Sequence, residues 1–131
     1  MLNRRSLMTA LTLAAGLALA GSAQALDAKP FNQAAFEAAK AAGKPVLVEV
    51  SAPWCPVCKV QKPILSELMA DPKFKDMAVF EVDFDSQKDA LRMLNVQKQS
   101  TLLSFKGAQE VGRSTGDTNK ATISELLNKA V

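Results

Sequence analysis

Histidine is absent from the 131-residue sequence, cysteine occurs only twice, and the last of its six prolines is Pro72. Each scarcity excludes something. A structural zinc site wants four ligands, so with no histidine and only Cys55 and Cys58 it would need carboxylates or a second chain. Basic residues are also few once the first 25 positions are set aside. Arg4 and Arg5 are the only charges there, leaving 14 Lys and Arg against 13 Asp and Glu in the remainder, so the pI of about 9.0 belongs largely to that short start. With no long Lys/Arg run, the chain has no electrostatic footprint for nucleic acid. It contains no internal repeat, and no low-complexity tract beyond its start.

What is there is 48% hydrophobic residues with few prolines and glycines, the composition of a packed domain. The start differs. Arg4 and Arg5 give a basic lead, Leu7 to Ala20 is apolar, and Ala23-Gln24-Ala25 offers small residues two apart, which is the build of a secretory signal peptide. The apolar run is interrupted by Thr9 and Thr12 and is shorter than the roughly 20 residues a membrane helix needs. Residues 1–25 are therefore expected to be cleaved, with the mature domain, 26–131, starting at Leu26. General secretory and twin-arginine export both fit the arginine pair. Either delivers the chain to an oxidising compartment, where a dithiol is oxidised or serviced.

Along the mature part, alanine-rich Asn32 to Ala42 stops at Gly43 and predicts a helix. Val46 to Val50 is an aliphatic run suited to a strand buried on both faces. It leads into the cysteines, after which Val60, Ile64, Leu65, Leu68 and Met69 recur at helical spacing until Asp71-Pro72. A strand over Ala78 to Phe84, a helix from Ser86 to Asn95, a strand over Thr101 to Phe105, a turn at Lys106-Gly107, a hairpin partner over Gln109 to Arg113 and a helix over Asn119 to Ala130 complete the order αβαβαββα. The expected fold class is α/β, a mixed sheet with helices on both faces.

The cysteine pair falls at the strand-to-helix junction. There the free N–H groups and positive end of a helix favour thiolate, which makes Cys55 the expected nucleophile. Cys58, one turn on, suits the resolving role in exchange through a mixed disulfide. An inert staple is the weaker reading, because so short a loop removes little unfolded-state entropy.

The run Val46-Leu47-Val48-Glu49-Val50-Ser51-Ala52-Pro53-Trp54-Cys55-Pro56-Val57-Cys58-Lys59, with Pro63 further along the helix and Thr101-Leu102-Leu103-Ser104-Phe105-Lys106-Gly107, resembles the thioredoxin family over nearly all the mature chain. The lead ending in Gly43-Lys44-Pro45-Val46 is similar to exported thioredoxin-like domains that carry electrons to periplasmic proteins. The resemblance implies the thioredoxin fold, protein thiol–disulfide exchange in the periplasm, no bound cofactor, and action as a monomer. Its implied partners are disulfides of exported proteins and a membrane or soluble thiol that gives or takes electrons. By the same resemblance Glu49 corresponds to the buried acid that takes the Cys58 proton, although the family usually has aspartate; a strand-end residue reaching solvent is the other reading. Trp54 corresponds to the tryptophan beside the nucleophile and either docks substrate or packs. Pro56 and Val57 stand where Gly-Pro is usual, and proline at 56 leaves the amides of Val57 and Cys58 to face the Cys55 sulfur. Ala52, Pro53, Trp54, Pro56 and Val57 form an apolar rim for docking.

The largest departure is Ser100. The family places a cis-proline there, and a cis bond before serine would cost about 2.5–4 kcal/mol, so Gln99–Ser100 is expected to be trans. Gln99, Ser100 and Thr101 are then an altered docking loop, in which Ser100→Pro is expected to raise activity toward general disulfides and lower binding of soft metals. The rival function is a metal- or peptide-binding module that has kept the fold and lost turnover.

Overall fold

Strand β2 (Pro45–Ser51) lies at the middle of a five-stranded sheet of order β1-β3-β2-β4-β5, and from Val46 to Ser51 every residue is buried. Side chains alternate across a strand. Val46, Val48 and Val50 enter one core and Leu47 the other, while Glu49 shares the side of Leu47. A computed structural model describes residues 26–131; the proposed signal peptide, 1–25, lies outside them.

Strand β1 (Lys29–Pro30) and β2 both pair parallel with β3 (Ala78–Asp83), whereas β4 (Thr101–Lys106) runs antiparallel between β2 and β5 (Gln109–Thr115). The sheet is mixed, as expected. On the valine face, Phe36 of helix α1 (Gln33–Ala41) and Leu91 and Leu94 of α3 (Lys88–Leu94) close a core with Phe80, Leu103 and Phe105. On the opposite face, Leu65 of α2 (Pro56–Met69) and Ile123, Leu126 and Leu127 of α4 (Lys120–Asn128) pack on Leu47, Val79 and Leu102. The thioredoxin fold, α/β with helices on both faces, follows from this layering.

Local chemistry sets the ends. Asn32 caps α1 by accepting the Ala35 amide at 2.9 Å, and Gly43 ends it at φ +74°, a conformation favouring glycine. At Gly112 in β5 a Cβ would come within 2.8 Å of Leu126 Cδ1, so the missing side chain lets α4 sit close on the hairpin.

Three details differ from the sequence reading. The two-residue β1 is additional, and its Pro30 is tolerated because the strand is at an edge. A short 3-10 turn, Pro72–Phe74, follows α2. More telling is the buried stripe of α2, which runs through Cys58, Gln61 and Leu65, whereas Val60 is 49% exposed. Residues 58, 61 and 65 follow one another at three- and four-residue steps and so share a face. The amide of Gln61 tolerates burial there because both of its N–H bonds are used.

Candidate active site at the Cys55–Cys58 disulfide

Cys55 is the N-cap of α2, and Cys58 lies one turn inside it; the two are joined as a disulfide with Cα atoms 5.3 Å apart. Pro56 at the first helical position gives up an amide that would have no intrahelical partner anyway. The Cys58 amide donates to Cys55 Sγ at 3.1 Å, while Val57 supplies no such bond, so one of the two expected donors is in place. That contact acts on Cys55 alone, and the helix dipole is felt most at its cap position. Both sulfurs are covered, Cys55 being 1% and Cys58 3% exposed, by packing with Ala52, Val57 and Phe84. Exposure does not separate their roles; their partners do. Cys58 Sγ lies 3.9 Å from Val50 O, a carbonyl that a reduced thiol could use as acceptor.

Trp54, next to Cys55 in the chain, is 54% exposed with its indole edge held. Its Nε1 donates to both carboxylate oxygens of Asp85, at 3.1 and 2.9 Å, and its ring meets Phe84 at 78° with centroids 6.2 Å apart. Asp85 was not legible beforehand. Pro53 and Pro56 are exposed and Val57 half-buried, so the rim has an accessible apolar surface.

Behind the disulfide, Glu49 is 3% exposed, which removes the reading of a strand-end residue reaching solvent. Its carboxylate faces Lys62 Nζ at 3.3 Å, and the same ammonium reaches Glu81 at 2.8 Å from the paired strand, where Glu81 is the register partner of Glu49. Burial first, then a hydrogen bond with Glu81 and repulsion from it, push Glu49 up to about 7 against the pull of Lys62. Partial burial works against charge on both other members, yet the opposite charges prevail: Lys62 is held above its usual value and Glu81 below. A carboxyl titrating near 7 is poised to accept and return a proton at neutral pH. Its hydrogen bonds run to Lys62 and Glu81, not to a sulfur. Lys62 falls four residues after Cys58, the one sequence signal that could have found it.

Ser100 has φ +57°, and no peptide bond among the described residues is cis. The left-handed region costs a non-glycine residue about 1–2 kcal/mol. Three bonds hold it: its N–H donates to Val50 O at 2.7 Å, and its carbonyl accepts from Gly116 N at 3.0 Å and Gln61 Nε2 at 3.1 Å. Of its neighbours, Gln99 is half-buried, and Thr101 spends its hydroxyl on Lys98 O of the loop at 2.8 Å and on Thr115 Oγ1 of the paired β5 at 3.0 Å. No group of three or more Cys, Asp and Glu among the described residues is placed to hold a metal ion.

The chain is similar to proteins already known. The family model described as Thioredoxin matches residues 27–129. A crystal structure of Trxlp from Edwardsiella tarda EIB202 superposes with a TM-score of 0.74 at 48% identity, covering 76% of this chain and 97% of that one. The thioredoxin H-type of Fagopyrum esculentum is 37% identical over 94 residues, 72% of this chain and 76% of its own length. A thioredoxin of Mycobacterium tuberculosis (strain ATCC 25618 / H37Rv) is 36% identical over 88 residues, 67% of this chain and 75% of its own.

Proposed function

The chain belongs to the thioredoxin family and is a protein thiol–disulfide oxidoreductase; from that premise we propose that Cys55 attacks, Cys58 resolves, and Glu49 carries the Cys58 proton, in exchange with disulfides of exported proteins. The observation that carries the assignment is the Cys58 amide on Cys55 Sγ at the mouth of α2. In the reduced protein that bond and the dipole favour negative charge on Cys55, lowering the cost of the thiolate. The thiolate attacks one sulfur of a substrate disulfide, forming a mixed disulfide and expelling a substrate thiolate. Cys58, losing its proton to Glu49, then attacks Cys55 Sγ; the Cys55–Cys58 bond re-forms and the second substrate sulfur leaves as thiolate. Two electrons have passed to the substrate, and a thiol reductant returns them to the enzyme; the same steps reversed oxidise a substrate dithiol.

The rim of Trp54, Pro56 and Val57 and the loop of Gln99, Ser100 and Thr101 form the proposed docking edge around the sulfurs. Export to the periplasm is supported by Arg4-Arg5, the apolar run and Ala23-Gln24-Ala25. Intact mass of the exported protein tests it: a chain starting at Leu26 is expected, and a retained apolar segment in membranes would reject it. The roles of the sulfurs are tested by trapping. Cys58→Ser is expected to accumulate mixed disulfides with protein substrates and Cys55→Ser to trap none and turn nothing over; the opposite pattern would exchange the two roles.

A further inference from the structure

Gln61 is 3% exposed, three residues after Cys58 on the face of α2 that meets the sheet. A side-chain amide has two N–H donors. Both are spent across the fold, on Ser100 O at 3.1 Å and on Asp117 O at 2.9 Å. The helix that carries the cysteines is thereby tied to the two segments flanking the β4–β5 hairpin. Ser100 is in turn bound to Val50 O, the same carbonyl that lies 3.9 Å from Cys58 Sγ. A closed circuit results, from Cys58 along α2 to Gln61, across to Ser100, on to Val50 and back to Cys58. Its one unfavourable link is the left-handed backbone of Ser100, which a serine leaves unless held.

We propose that Gln61 is a positioning residue for docking: its amide clamps Ser100 in the left-handed conformation and so fixes how the loop ending in Gln99 is presented beside the disulfide. This rests on the docking-edge reading above. Without the clamp, Ser100 relaxes toward negative φ, and rotation there re-aims the peptide groups on either side. A protein substrate that lies along the loop feels the change. A small disulfide that meets only the sulfur does not.

The experiment compares insulin reduction with the reaction of the reduced protein with a small aromatic disulfide, for the wild type, Gln61→Met and Trp54→Ala. Gln61→Met keeps the length and loses both donors. It is expected to raise KM for insulin about tenfold while leaving kcat and the small-disulfide rate within about twofold, the split of lost docking rather than lost chemistry. Amide exchange at Ser100 and Gly116 is expected to accelerate. Because glycine adopts φ +57° without strain, adding Ser100→Gly to Gln61→Met is expected to recover at least a threefold part of the loss. An unmoved insulin KM, an equal fall with both substrates, or no recovery with glycine each overturns the clamp. Should Gln61→Met not fold, Gln61→Asn, which keeps an amide too short to bridge both carbonyls, is put through the same comparison with the same outcomes. Trp54→Ala separates the two levels: a raised KM there with none in the Gln61 variant rejects the clamp alone, and no change in either rejects the docking edge.

Discussion

The two sides of the disulfide are built in different ways. In front, apart from Phe84, which packs on both cysteines, what acts on Cys55 comes from one stretch of chain: the strand end at Ser51, the tight run Ala52-Pro53-Trp54, and the first turn of α2, whose own Cys58 amide reaches the sulfur. Behind, the contacts converge from four strands and helices, with Glu49 from β2, Lys62 and Gln61 from α2, Glu81 from β3 and Ser100 from the entry to β4. A front made of neighbours depends on local geometry that any strand-to-helix turn of this composition supplies. A back made of distant residues depends on register, since sliding β3 by one residue against β2 would turn Glu81 to the other face. Damage to the back should therefore register in stability, in docking and in the pH response of the resolving step, and damage to the front in the attack by Cys55.

Ser100→Pro breaks the back hardest. At φ +57° no proline ring closes, and the N–H given to Val50 at 2.7 Å disappears, stranding a buried carbonyl. The expectation from sequence, that restoring the family's proline would raise activity, is revised by this geometry: the serine loop is built around an amide that proline lacks. A loss of about 3 kcal/mol or more is expected, read by urea unfolding of the oxidised protein, with no gain in insulin reduction. A proline variant as stable as the wild type would mean that the loop rearranges at little cost.

How much could be read in advance follows the same division. The order of helices and strands, the mixed sheet, the cap position of Cys55 and the burial of Glu49's strand were legible because each is written in periodicity or in contiguous residues. Gln61, Lys62, Glu81 and Asp85 were not. They are polar residues whose partners lie 13 to 56 positions away, and composition gives no sign of which polar side chain faces inward. The error over Val60 has the same origin. An apolar residue next to a polar one invited the ordinary assignment, and only the packing of α2 against the hairpin reverses it. The trans bond at Ser100 was expected, but its left-handed backbone is set by acceptors on β2 and donors on α2 and beyond β5.

Glu49→Gln sharpens the comparison through pH. With its carboxyl raised from 4.5 to about 7 in the folded protein, Glu49 keeps its proton between those values while the unfolded chain has lost it, so wild-type stability falls as pH rises through this window and is flat above it. The neighbours act elsewhere: the lowered Glu81 adds stability that is lost as pH falls below its ordinary range, and the raised Lys62 adds stability that is lost only in strong alkali. The fall for Glu49 is at most about 3 kcal/mol. Denaturation of the oxidised protein at pH 5 and pH 8 should show that drop in the wild type and its absence in Glu49→Gln, although the amide variant resolves mixed disulfides more slowly. Equal slopes would place the titration on another group.

The smallest effect concerns the two residues that flank Glu49, and it separates an acid tuned by its surroundings from one merely buried. Lys62 pulls Glu49 toward the ionised form, whereas Glu81 pushes it toward the protonated one, both by sharing a hydrogen bond and by charge. Lys62→Met should therefore move the pH midpoint of the resolving step upward and slow that step at neutral pH by a few-fold, on the order expected for a base partly removed from its active form. Glu81→Gln should move the midpoint downward, because the remaining ammonium then faces Glu49 alone. Stopped-flow resolution of a mixed disulfide across pH reads both. Opposite displacements from the two variants tie the resolving proton to Glu49, since neither residue hydrogen-bonds to a sulfur. Displacements of one sign, or none in either, would leave the carboxylates and lysine behind the disulfide as a structural ion cluster and assign the proton of Cys58 to water.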